Sequence, residues 1–135
     1  MIRQQDWPEK MAATIEAKRK RPFAWGKNDC ALFCADIVLA MTGIDCGAPF
    51  RGSYDSEIGA AKALIKAGVG NLDLLMRGMF GDPLPAVLVG RGDIASFDIG
   101  NGRTYGICIG EKIAAPGETG LEFVEMQHCD YGWRV

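Results

Sequence analysis

Trp7, Met11, Ile15 and Lys18 recur at spacings of three and four, the rhythm of one buried helical face. Asp6 followed by Glu9 reads as a capping box and Pro8 suits a first turn, so a helix is predicted over about 7–20, ended by Pro22. Phe23 and Trp25 in the connection that follows are expected to pack on the core. From Cys30 to Met41 the only charge is Asp36, and a helix apolar on nearly every face is a buried one. Asn28 or Asp29 supplies its cap and Thr42-Gly43 its stop, which makes it the predicted central helix. Ser53, Asp55 or Ser56 opens a third helix running to Ala67 and closed by Gly68, and Asn71 opens a short fourth holding Leu72, Leu74, Leu75 and Met79.

Beyond Pro85 the helical period gives way to short β-favouring runs at Ala86–Val89, Asp93–Phe97, Thr104–Ile109, Leu121–Glu125 and Trp133–Val135, separated by turn residues. Helices first and antiparallel strands second predict an α+β fold with the helices on one face of the sheet. No repeat or linker divides the chain, so residues 1–135 read as a single domain. Gly100-Asn101-Gly102 reads as a hairpin turn. Gly106, on the same strand face as Thr104 and Cys108, reads as a place where the central helix approaches closely.

Composition narrows the classes. The 135 residues are 48% hydrophobic and 24% charged, the profile of one globular domain. A formal net charge of −2 gives no footprint for a nucleic acid, and the basic cluster Lys18 to Arg21 reads as the solvated end of the first helix. No apolar stretch is long enough to cross a membrane and no apolar leader opens the chain, so a cytosolic product is expected. Five cysteines at irregular spacing read as reduced thiols rather than a disulfide framework.

The candidate chemistry centres on Cys30. At a helix start, unpaired amides and the positive end of the dipole favour a thiolate, the usual setting of a cysteine nucleophile. Cys34, one turn on, reads as core. No C-x-x-C pair occurs, so a zinc or iron–sulfur site would need Cys30 and Cys34 joined by ligands from distant segments; that is a further alternative, and no metal or cofactor is expected.

The words around these residues carry a resemblance. Trp25-Gly26-Lys27-Asn28-Asp29-Cys30 resembles the nucleophile segment of the NlpC-type, papain-like cysteine peptidases. Arg91-Gly92-Asp93 with Thr104-Tyr105-Gly106-Ile107 looks like that family's paired strands. A narrower similarity, to small proteins encoded among phage and prophage tail genes, rests on Pro22 to Cys30, Arg51 to Tyr54, Ala114 to Gly117 and Trp133 to Val135. The NlpC-type resemblance implies a papain-like fold with Cys30 in the nucleophile place. It also implies a catalytic histidine where Thr104 stands and an orienting polar residue where Ala114 stands, and neither side chain can take a proton from a thiol.

The expectation is therefore a pseudoenzyme with a vestigial Cys30: a structural component of a phage tail tip or baseplate. It would be made in the host cytoplasm, carried in the virion tail, and bound to other tail-tip or hub proteins through apolar and aromatic positions such as Trp7, Tyr54, Tyr131 or Trp133, each of which fits a place in the core equally well. The alternative is an active endopeptidase or amidase that contacts and cuts peptidoglycan, with His128, the only histidine, as the base. On either reading Trp133 to Val135 should be ordered, and completion of the domain's own sheet is favoured over a direct partner contact.

Overall fold

The computed structural model describes residues 1–135. Helix α1 spans Trp7–Lys18 and α2 spans Cys30–Thr42, near the stretches read from the sequence. α1 buries Met11 and Ile15 on its apolar face, but Asp6 makes no side-chain cap, so the expected capping box does not form. Lys18 is no solvated helix end either: it is buried and ion-paired with Asp36, the lone charge of α2. Asp36 also receives Arg51 at 2.6 Å, and Arg51 holds Asp45 at 3.0 Å, so the buried helix carries no uncompensated charge.

Asp29 caps α2 by accepting a hydrogen bond from the Leu32 N–H at 2.9 Å, and Gly43 closes the helix in the left-handed conformation. Ser56 caps α3, Glu57–Lys66, and Asn71 caps α4, Leu72–Phe80. No helix is long and apolar enough to cross a membrane.

The second half of the chain builds β1 (Leu84–Pro85), β2 (Ile94–Phe97), β3 (Thr104–Cys108), β4 (Lys112–Gly117), β5 (Gly120–Glu125) and β6 (Cys129–Trp133). They form one antiparallel sheet in the order β1-β6-β2-β3-β4-β5. One row of directly opposed residues, Trp133, Ile94, Ile107, Ala114 and Phe123, crosses five strands. This face meets α1 and α2 in the main core with Met11, Phe33, Ile37 and Met41. The other face carries a smaller cluster around Ala95, Phe97, Cys108 and Ile113. The architecture is α+β with its helices on one face of the sheet.

Four sequence expectations change. Ala86–Leu88 is a 3-10 turn rather than a strand, because prolines at 83 and 85 leave only Leu84 and Pro85 to pair with β6. β4 was not among the predicted strands, since Ala114, Ala115 and Pro116 are poor strand formers, yet residues 113–117 are all buried. β6 begins at Cys129 and runs into Trp133, which is fully buried, so the end of the chain completes the sheet from within. A Cβ on Gly106 would meet the Ala114 carbonyl oxygen at 2.4 Å and Ile113 at 2.7 Å, so the close approach there is by β4 and not by the central helix.

Candidate functional site

Cys30 is the first residue of α2, and the chain before it is bent into a tight loop. Gly26 adopts φ +77°, and a Cβ there would lie 1.9 Å from the Tyr54 carbonyl oxygen, so the glycine of Trp25-Gly26 is a steric requirement. The Gly52 N–H donates to the Gly26 carbonyl at 2.9 Å, fixing the segment that leads to Tyr54 against the helix start. Asp29, only 2% exposed, joins these parts. Its Oδ1 caps the helix, while Oδ2 accepts from the Gly26 N–H at 3.0 Å and from the Tyr54 hydroxyl at 2.5 Å. Aspartate before the cysteine therefore has a structural cause: one carboxylate satisfies three donors.

Cys30 as a residue is partly buried, and its thiol lies on the buried side. Burial pushes its thiol from the ordinary 9.0 up to about 11; nearby backbone N–H groups of Tyr105, Ala31 and Cys30 itself pull it down, while the charge of Asp29 raises it further. The helix-start amides thus favour the thiolate, but burial outweighs them. At neutral pH the protonated thiol is therefore favoured.

The strand facing Cys30 presents aromatic residues. On β3, Tyr105 and Ile107 turn toward the helices, whereas Cys108 joins the cluster on the other face, and by strand alternation Thr104 shares that second face. The Thr104 hydroxyl donates to the Gly102 carbonyl at 3.3 Å. Ala114 lies fully buried opposite Ile107. His128 is exposed in a 3-10 turn between β5 and β6, and it neither lines the cavity beside Cys30 nor acts on its thiol. The structure therefore does not bring together Cys30, Thr104, Ala114 and His128.

It gathers a different set, centred on Asp73 of α4 and reaching Cys30 through Tyr105. Tyr105 and Tyr131 both donate hydroxyl hydrogen bonds to Asp73 of α4, the latter at 2.6 Å. They flank Ser96 in one cross-strand row, and so small a central residue leaves room for both rings to lean toward one carboxylate. Burial, then the hydrogen bond to Asp73, raises the Tyr105 hydroxyl well above the ordinary phenol range. The Tyr54 hydroxyl is raised likewise, by burial and then by Asp29. Both phenols are donors committed to carboxylates, not bases.

Of Trp7, Tyr54, Tyr131 and Trp133, each read as a partner contact or as core, only Trp133 is fully buried and the other three are half-buried. Trp133 is core, the two tyrosine hydroxyls are bonded to Asp29 and Asp73, and Trp7 is half-buried under the Arg3 guanidinium at 4.3 Å. Phe23 and Trp25 stack edge to face at 4.8 Å, but Trp25 stays 36% exposed instead of joining the core.

A narrow cavity of about 70 Å³ lies beside Cys30, between α2 and the pair α3 and α4, with Cys34, Cys46, Leu64 and Met76 in its walls. Burial, then the neighbouring Cys30 and Cys46, raises the Cys34 thiol. All five cysteines are free thiols, and no three His, Cys, Asp or Glu side chains are arranged to hold a metal ion. Chemically, the site offers backbone donors around a protonated thiol and no proton acceptor placed to ionise it.

Fold and site define an α+β domain whose central helix opens on a sheltered cysteine held against an antiparallel sheet. The chain belongs to the family described as Domain of unknown function (DUF6950), whose model matches residues 2–135. No curated protein matches it.

Proposed function

We propose that this chain is a structural and assembly component of a phage or prophage tail tip, a degenerate NlpC-like, papain-like cysteine peptidase fold used as a binding module. The observation that carries the reading is the state of Cys30. It opens the central helix among backbone donors, as a nucleophile would, yet burial holds its thiol up to about 11 and no histidine approaches it. A fold that keeps the frame of a cysteine site without its base suits recognition and not turnover.

Partners in this reading are other tail-tip or hub subunits. With Tyr54, Tyr131 and Trp133 engaged inside the domain, the apolar side chains free to meet them include Ile58 and Ile65 of α3 and Val87 after β1. No observation favours the peptidase alternative, which needs His128 at Cys30.

The test pairs chemistry with assembly. Purified chain incubated with peptidoglycan and peptide amides should release no more product than Cys30→Ala, and phage carrying Cys30→Ala should build complete, infectious tails. Turnover abolished by Cys30→Ala or His128→Ala would overturn the proposal, as would normal tails in phage lacking the gene altogether.

A further inference from the structure

Helices α3 and α4 roof the cavity beside Cys30, yet little holds them down. α3 buries no residue at all and α4 buries one, Met76. Ile58 and Ile65 of α3 face outward, 70% and 68% exposed. Glycines punctuate the segment at Gly68 and Gly70, between the helices, and at Gly81, after α4; each has positive φ and open space around it. Such positions absorb backbone rotation at low cost. The segment is nonetheless fixed at both ends. Tyr54 is tied to Asp29 before it, and Leu84 pairs with Gly132 of β6 after it.

Between these anchors, the only side-chain hydrogen bonds from α3 or α4 to the sheet are the two that Asp73 accepts, from Tyr105 and Tyr131. Asp73 lies in the first turn of α4, and the two phenols stand on β3 and β6 with Ser96 between them. A carboxylate gripped by two hydroxyls is a strong, directional contact in an otherwise loosely packed region.

We propose that α3 and α4 form a hinged cover over Cys30, latched to the sheet by the clasp of Asp73 with Tyr105 and Tyr131, and that release of the clasp opens the cavity and exposes the thiol. Opening turns the narrow space under the cover into an accessible apolar groove with Cys30 at its end, while α1, α2 and the sheet stay packed. The device operates whether or not the chain serves in a phage tail.

The experiment is pulsed alkylation of the reduced full chain with iodoacetamide, each cysteine read by peptide mass spectrometry. The Tyr105→Phe/Tyr131→Phe variant keeps the rings and removes both donors. Losing two charged hydrogen bonds should raise the open fraction, and with it the Cys30 alkylation rate, by roughly 10- to 100-fold. Cys108 and Cys129, on the far face of the sheet, should react no faster than in the parent chain. A Cys30 rate that stays within about twofold of the parent chain's, or Cys108 and Cys129 rising in step with it, overturns the latch. Hydrogen exchange of the unmodified chain gives a second reading that needs no variant. Amides of α4 should exchange well before those of α2 and β3, and equal protection would overturn the hinged cover.

Discussion

Replacing Asp29 with alanine removes three hydrogen bonds from one buried point, and the cost can be summed from the contacts. Loss of the cap to Leu32 N–H is worth about 1 kcal/mol. The Gly26 N–H, buried and left without an acceptor, costs about 1–3 kcal/mol. The Tyr54 hydroxyl is half-buried and can turn toward water, so it adds less than about 1 kcal/mol. Part of the sum is returned because a carboxylate no longer has to be buried. The net expectation is about 2–4 kcal/mol, a large fraction of the roughly 5–15 kcal/mol that holds a domain of this kind together. For this chain length the melting temperature should fall by about 10 °C. Asp29→Asn keeps the oxygen of the cap but turns an amide NH2 toward the Gly26 N–H, so it should cost only about 1 kcal/mol less than Asp29→Ala. Urea titration followed by tryptophan fluorescence, with thermal melts by circular dichroism, measures both variants. A loss below about 0.5 kcal/mol in Asp29→Ala, or an asparagine variant as damaged as the alanine one, would refute the claim that one carboxylate organises the helix start.

Two further outcomes follow from burial. Deleting residues 133–135 removes fully buried Trp133 and the hydrogen bond that the Val135 N–H donates to the Asp93 carboxylate at 3.1 Å; truncation of such a tryptophan alone costs about 3–5 kcal/mol. Size-exclusion chromatography and circular dichroism should show an unfolded or aggregated product, and a stable, folded monomer would contradict the internal role of β6. Alkaline stability should also fall. The Cys30 thiol is raised in the folded chain, so above its unfolded value of 9.0 the unfolded state ionises first, and stability declines until about pH 11. The slope from this one group is at most about 1.4 kcal/mol per pH unit, and a Cys30→Ala chain should lose less stability over that window in denaturant titrations.

The helices were legible because their ends are written in single residues. Asp29, Ser56 and Asn71 each cap a helix through the side chain, and Gly43 ends α2, all visible as cap and stop residues beside apolar runs. Asp6 shows the limit of that rule, since a capping pattern beside Pro8 formed no cap. Strands were less legible where burial replaced alternation. β4 carries Ala114, Ala115 and Pro116, and its pairing with β3 is confined to Ala114 and Ile113, so the missing Pro116 N–H breaks no bond on that side. Cys129 to Gly132 shows no apolar alternation, and a register shift after Ser96 loops Asp130 out of the ladder.

Half of the candidate site was readable. The cysteine at the helix start and its amides were implied by Asp29-Cys30 before an apolar run. The level of its thiol was not, because burial depends on α3 and α4 folding over it from later in the chain. Asp73, Tyr105 and Tyr131 were missed since they converge from a helix and two strands; the tyrosine beside Thr104 was the one local sign. Reading the strand by motif placed Thr104 at the site, and strand alternation places Tyr105 there instead.

On the proposed function, Cys30 stands at the start of α2 where a nucleophile would, while burial keeps it protonated and no base approaches it. Labelling the cysteine Cβ with carbon-13 and following the Cys30 chemical shift from pH 6 upward tests this directly. No titration step is expected below about pH 10, with a midpoint near 11. A midpoint below about pH 8, moved by His128→Ala, would show an activated thiol paired with a base and would contradict it.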